Sequence, residues 1–141
     1  MRPNTDEYFI AMATLVATRS TCARRAVGCV LVDDYKRVLA TGYNGVAAGL
    51  PHCNMTPCPG VASAPGQGLY LCEAIHAETN ALISCRHPED IFVAYVTASP
   101  CIFCTRQLLN TPCKLIVFKE NYPHPEAKDL WQSQGRIWAQ I

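Results

Sequence analysis

Apolar positions first recur at helical spacing: Phe9, Met12, Ala13 and Val16 put one apolar face on residues 5–18. Asn4 with Glu7 three residues on is a capping pair for that helix, and Arg19, Ser20 and Thr21 end it. Two strand-like runs follow at 26–32 and 37–41, joined by Asp33, Asp34, Tyr35 and Lys36, the pattern of a hairpin. From 45 to 71 the periodicity disappears among five glycines (45, 49, 60, 66, 68) and four prolines (51, 57, 59, 65). A structureless stretch of that length needs a function or a staple. The pattern then sharpens into a helix over 73–85, a strand over 91–97, a helix over 101–109 and a strand over 115–119. A helix over 126–134, stopped by Gly135, and a strand over 136–141 complete it. Strands alternating with helices predict a sheet of five strands, largely parallel in its second half, with helices on both faces.

Length bounds the organisation: 141 residues are about one domain at roughly 150 per domain, here 1–141 with a loop insertion at about 45–72. Charged residues are 16% of the chain, apolar ones 50%, and 12 basic against 11 acidic residues leave +1. That balance excludes a disordered acidic or basic tail, and it argues against gripping a nucleic-acid backbone, which needs clustered Lys and Arg. The expected partner is a small molecule, with no nucleic acid and no membrane. The longest clean apolar runs, 26–32 and 91–96, have strand length, far short of the ~18–20 residues of a membrane span. Asp6 and Glu7 stand before the apolar stretch 8–17 where a secretory leader carries positive charge, so a cytoplasmic location is expected. Nine cysteines, an odd number that includes a Cys-x-x-Cys, read in a reducing compartment as metal ligands plus buried thiols.

The chemistry gathers at two helix starts. His76-Ala77-Glu78 opens one and Pro100-Cys101-Ile102-Phe103-Cys104 opens the next, at equivalent strand-to-helix positions. Cys101 and Cys104, three apart, share a helix face, where the positive end of the dipole favours thiolates. With His76 they make a three-ligand tetrahedral zinc site whose fourth position is open to water. Glu78, two residues from His76, does not share its direction on a helix and reads as the group that moves protons between water and a substrate nitrogen. Cys-x-x-Cys alone also fits a redox pair or a structural zinc half-site; His-x-Glu followed by Pro-Cys-x-x-Cys is the known signature of zinc nucleobase deaminases, and the match is complete.

Around these motifs stand Arg19-Ser20-Thr21-Cys22, Val27-Gly28, Thr41-Gly42-Tyr43-Asn44-Gly45, Gly49-Leu50-Pro51-His52-Cys53, Tyr95-Val96-Thr97 and Asn121-Tyr122. With them the chain resembles the deoxycytidylate (dCMP) deaminase family over nearly its whole length. The resemblance implies a three-layer α/β/α cytidine deaminase-like fold with a five-stranded mixed sheet, and hydrolysis of dCMP to dUMP and ammonia. It implies His76, Cys101 and Cys104 as ligands of a catalytic zinc and Glu78 as proton shuttle. Asn44 would then bond the base or deoxyribose, with Arg24 and Tyr122 at the 5′-phosphate; Arg25, one residue on, is the competitor. A phosphate of about −2 charge suits an arginine fork beside a phenol. Cys22, Cys53, Cys58 and Cys72 remain; converging, they would close a second, structural zinc that pins the loop, a feature the family's insertion often has. They read alternatively as reduced thiols, with His52 replacing one ligand. Cys29, Cys85 and Cys113 are expected as small core residues, His87 and His124 on the surface. The resemblance further implies a homo-oligomer, a hexamer, activated by dCTP with Mg²⁺ and inhibited by dTTP. The competing readings are a zinc deaminase of another cytosine or adenine nucleoside or nucleotide, and a non-catalytic zinc scaffold, in which Glu78 would have no use.

Overall fold

A computed structural model describes residues 1–68 and 71–141. Its elements are α1 (Thr5–Ala17), β1 (Gly28–Val32), β2 (Val38–Tyr43), α2 (Ala77–Ser84), β3 (Val93–Ala98), α3 (Ile102–Leu109), β4 (Leu115–Glu120), α4 (Pro125–Ser133) and β5 (Ile137–Gln140). They form one sheet in the order β2-β1-β3-β4-β5. β1 is antiparallel to both its neighbours, and β3, β4 and β5 run parallel, linked by crossovers that carry α3 and α4. The predicted mixed sheet with two covered faces is the one observed.

The alternation of strand side chains sorts the core into two halves. Val30, Val32, Val93, Tyr95 and Val117 point to α1 and meet Phe9, Ile10 and Ala13. Cys29, Leu31, Ala94, Val96, Ile116 and Phe118 point the other way, into a cluster with Ala77 and Ala81 of α2, Leu108 of α3 and Trp131 of α4. Cys29 and Cys113 are fully enclosed there as expected, and Cys85 packs at the margin. Every residue of β1 is buried, because it lies centrally in the sheet and is covered on both sides.

Local signals are realised closely. Asn4 and Glu7 form the reciprocal cap, with Glu7 N donating to Asn4 Oδ1 at 2.8 Å and Asn4 N to Glu7 Oε1 at 2.9 Å. Asp33 Oδ1 accepts from Tyr35 N and Arg37 N, both at 2.9 Å, and shapes the β1–β2 turn. One boundary moves: residues 73–76 are not helical. Ile75 instead exchanges backbone hydrogen bonds with Gly45 (2.7 and 3.1 Å), so the chain arrives extended and α2 starts only at Ala77. Residues 46–68 contain turns but no helix or strand. No helix among the described residues is long and apolar enough to cross a membrane.

Gly42 decides how closely α2 lies on the sheet, since a Cβ there would strike Ala77 O and Ala81 N. Those are backbone atoms of the turns that carry Glu78, and they have no side-chain freedom with which to yield. Gly42→Ala is therefore expected to destabilise the protein by about 1–3 kcal/mol through overpacking. Gly45→Ala, whose Cβ would meet only Thr21 Oγ1 at 3.4 Å, is the matched control. Urea unfolding midpoints measure both, and a Gly42→Ala midpoint equal to the control's would refute this account of the packing.

Candidate active site and metal centre

The extended arrival at α2 leaves His76 as its N-cap residue (φ −68°, ψ 154°). Cys101 is the N-cap of α3 (φ −72°, ψ 173°). Neither side chain makes the usual capping bond; each is turned to the other helix start instead. His76 Nδ1 lies 3.2 Å from Cys104 Sγ and 3.4 Å from Cys101 Sγ, and the three donor atoms all fall within 4.8 Å of one another. A tetrahedral zinc with nitrogen at ~2.0–2.1 Å and sulfur at ~2.3 Å separates such donors by about 3.5 Å, so the residues fit the ion. The charge state of the set agrees with that fit. Cys101 is held down to about 4 by its hydrogen bonds with Cys104 and then His76, and His76 is raised by the Cys101 bond, so the cluster draws positive charge. The sequence-predicted donors are thus brought together.

Glu78, 4% exposed, occupies the first turn of α2 beside this set. Burial, opposed by His76, pushes its carboxyl up to about 7. Two further residues, which no sequence motif singles out, tie the helix starts together. Thr79 Oγ1 donates to Gln107 Oε1 at 2.7 Å across the α2–α3 gap and stands 4.0 Å from Cys104 Sγ. Residues i and i+28 give no local signal in the sequence.

His76, Glu78 and Cys101 line a cavity of about 300 Å³ together with Arg24, Arg25, Asn44 and Tyr122 and with Val61, Ser63 and Pro65 of the long loop. Arg24 donates one amino group to the loop carbonyls of Ala64 and of Gln67, the latter at 2.7 Å. Tyr122 Oη accepts from Gly66 N at 2.8 Å. Arg25 lies 4.9 Å over the Tyr122 ring and pairs with exposed Glu120 at 3.2 Å, a contact that solvent weakens. Asn44 is buried; its Oδ1 accepts from Ser20 Oγ (2.6 Å) and Val27 N (2.9 Å), and its Nδ2 donates to Arg25 O at 2.6 Å. The amide is thereby locked, with one N–H left over.

The remaining cysteines form two close pairs. Cys53 and Cys58 have their sulfurs 3.6 Å apart, and the thiols of Cys22 and Cys72 act on each other. Cys22 is held down to about 5, chiefly by the Cys72 bond. Cys58 feels the charge of Cys22, but no three of these four sulfurs lie within 4.8 Å of one another. His52 Nδ1 faces Thr21 Oγ1 at 3.1 Å. Among the described residues, three or more donors within 4.8 Å of one another occur only at His76, Cys101 and Cys104 and at the exposed trio His87, Glu89 and Asp90. His87 is on the surface as expected. His124 is not: it is buried, 8% exposed, with Nδ1 accepting from Ile102 N at 3.1 Å, because the turn before α4 folds it against the start of α3.

A mixed-sheet α/β/α sandwich with a His/Cys/Cys donor set at two helix starts is the class that fold and site define. Residues 3–120 match the family described as the cytidine and deoxycytidylate deaminase zinc-binding region, and the chain belongs to that family. It is 41% identical over 124 residues to the deoxycytidylate deaminase of Mycobacterium phage D29, covering 83% of this chain and 95% of the relative. To the deoxycytidylate deaminase of Saccharomyces cerevisiae it is 37% identical over 124 residues, 86% of this chain but 39% of the yeast protein. The chain thus spans about two fifths of the length of that relative. The crystal structure of dCMP deaminase from the cyanophage S-TIM5, in complex with dCMP and dUMP, shares the fold with a TM-score of 0.77, 24% identity and coverage of 100% and 99% of the two chains.

Proposed function

We propose that this chain is a zinc-dependent hydrolase that converts dCMP and water to dUMP and ammonia, acting in pyrimidine nucleotide metabolism in the cytoplasm. The observation that carries the reading is the buried carboxyl of Glu78 beside a three-donor metal set, in a cavity lined also by two arginines and a tyrosine. The 41% identity to a phage deoxycytidylate deaminase supports the choice of substrate.

Zinc, when bound by His76, Cys101 and Cys104, supplies Lewis-acid chemistry that lowers the pKa of water towards ~7 and makes a nucleophile available at neutral pH. Glu78 does the proton work. Its carboxylate relays both protons of the attacking water in turn, one to the ring nitrogen N3 and the second to the amino nitrogen, so that the C4–N bond breaks, ammonia leaves and the oxygen stays as the C4 carbonyl of dUMP. A carboxyl whose affinity for protons has been raised by burial is matched to both halves of that exchange. The one free N–H of Asn44 is the donor to the base or deoxyribose. Arg24 and Tyr122, with Arg25 the competing cation, make up the phosphate end, where an arginine fork beside a phenol suits the ~−2 charge of the nucleotide. Glu78→Gln is expected to keep its zinc and lose turnover of dCMP by about 10²–10⁴-fold, since an amide of equal size cannot take the proton. Zinc analysis and an absorbance assay on the same sample test it; loss of the metal instead would make Glu78 a ligand.

We further propose that Cys22, Cys53, Cys58 and Cys72 close around a second, structural zinc that fastens the 45–72 loop. Two thiol pairs, one thiol of each depressed below its ordinary value, support this. The expected stoichiometry is two zinc ions per chain. Cys58→Ser should remove about one equivalent and leave the other, and Cys104→Ser should remove the other one. A fully loaded wild-type protein with a single zinc would contradict the second site.

Regulation is the third part of the reading: a homo-oligomer activated by dCTP with Mg²⁺ and inhibited by dTTP. What supports it is that the loop bonds directly to Arg24 and Tyr122, so a ligand that shifts the loop alters the substrate cavity. With dCTP and Mg²⁺ the half-saturating dCMP concentration is expected to fall by ~5–150-fold, the usual range of coupling. A hyperbolic dCMP curve unmoved by either triphosphate, from a protein that scatters light as a monomer, would refute it.

A further inference from the structure

A helix whose N-cap side chain is directed at a metal site has given up its own capping group. That is the situation of α3: Cys101 occupies the N-cap, makes no capping bond, and points its sulfur at His76 Nδ1. The first backbone N–H of the helix, on Ile102, is one of the orphan donors every helix start must satisfy. It is satisfied from 22 residues away, by Nδ1 of His124 at 3.1 Å. A backbone N–H can only donate, so Nδ1 is the acceptor in this bond, with the Glu126 carboxylate 3.4 Å from the same nitrogen. The ring is held in its turn by the backbone: His124 N donates to Tyr122 O at 2.7 Å, and Pro125 starts α4 immediately after it. Gly66 of the loop lies against the ring's other side, where a Cβ would come within 3.6 Å of its Cδ2.

We propose that His124 is a positioning residue for the thiol pair Cys101 and Cys104, holding the first turn of α3 in register with His76 by accepting the Ile102 N–H. Side chains that orient a metal's ligands typically change metal affinity or activity by ~10–100-fold when lost. Nothing in this role touches the substrate, so its kinetic mark is on kcat. That kinetic part rests on the deaminase reading above; the metal-binding part does not.

The test uses full-length protein loaded with Co²⁺ in place of zinc, whose visible and sulfur-to-cobalt absorption bands report ligand geometry without substrate. His124→Phe keeps the ring and loses the acceptor. His124→Asn places Oδ1 where Nδ1 stood, and His124→Gln carries its acceptor one bond too far. Phe and Gln are expected to shift the cobalt bands and release the metal to a chelator ~10–100-fold more readily, whereas Asn restores most of the retention. On dCMP, kcat should follow that order while KM stays within ~3-fold. Should Phe fail to fold, as circular dichroism would show, the Asn and Gln pair decides. Wild-type bands and retention in folded Phe or Gln protein, or Asn no better than Gln, would overturn the proposal. Retention in the expected order from a wild-type protein inert to dCMP would overturn the deaminase reading and leave His124 its role.

Discussion

Two sulfurs and one imidazole nitrogen within 3.2 and 3.4 Å stay together only if the first turns of α2 and α3 cannot move against each other. Much of the structure serves that constraint. Gly42 lets α2 sit directly on β2, and the extended pairing of Ile75 with Gly45 stops α2 from starting early and carrying His76 around its axis. α3 is restrained at its far end as well. Arg136 donates to the carbonyls of Thr111 (3.0 Å), Cys113 (2.8 Å) and Leu109 (3.1 Å), and lies 5.1 Å over the ring of fully buried Trp131. The guanidinium thereby satisfies carbonyls that the end of a helix leaves without partners. Thr79 and Gln107 join the two helices directly.

The same arrangement governs the electrostatics. Two helix starts present their positive ends to one place, and that place holds thiols and a buried carboxyl, the groups such ends favour. Burial pushes the Glu78 carboxyl up to about 7, with the charge of Cys101 adding to it, while hydrogen bonds from Cys104 and His76 pull Cys101 low. A divalent cation coordinated by two thiolates and a neutral imidazole brings that set to zero net charge, which is the physical reason this combination of donors suits zinc at a buried position.

What could be read from the sequence was what is local. The Asn4–Glu7 cap, the Asp33–Lys36 turn, the alternation of strands and helices along the chain and each zinc motif by itself rest on residues a few positions apart, and the structure carries each of them. The start of α2 was misplaced because its boundary is set by Gly45, some thirty residues earlier in the chain. His124, expected at the surface, is buried by its bond to Ile102. Arg24, expected to face a phosphate, has one amino group occupied by carbonyls 40 and 43 residues on. In each case the sequence offers the residue type without its partner, because polar side chains are directed by whichever unsatisfied backbone group the fold brings near.

That rule also explains how the long loop acquires a shape. Glycine and proline deny it regular hydrogen bonding, so its backbone groups take partners from outside: Arg24 for two carbonyls and Tyr122 for the Gly66 N–H. Gly60 packs against the backbone of Cys72 so closely that a Cβ would collide with it, which holds the middle of the loop against its C-terminal end. Arg24 and Tyr122 are also walls of the cavity. The groups that order the loop are therefore groups that set the polarity of the cavity wall, and neither can be changed without the other: releasing the loop frees a guanidinium edge and a phenol, and engaging them elsewhere releases the loop.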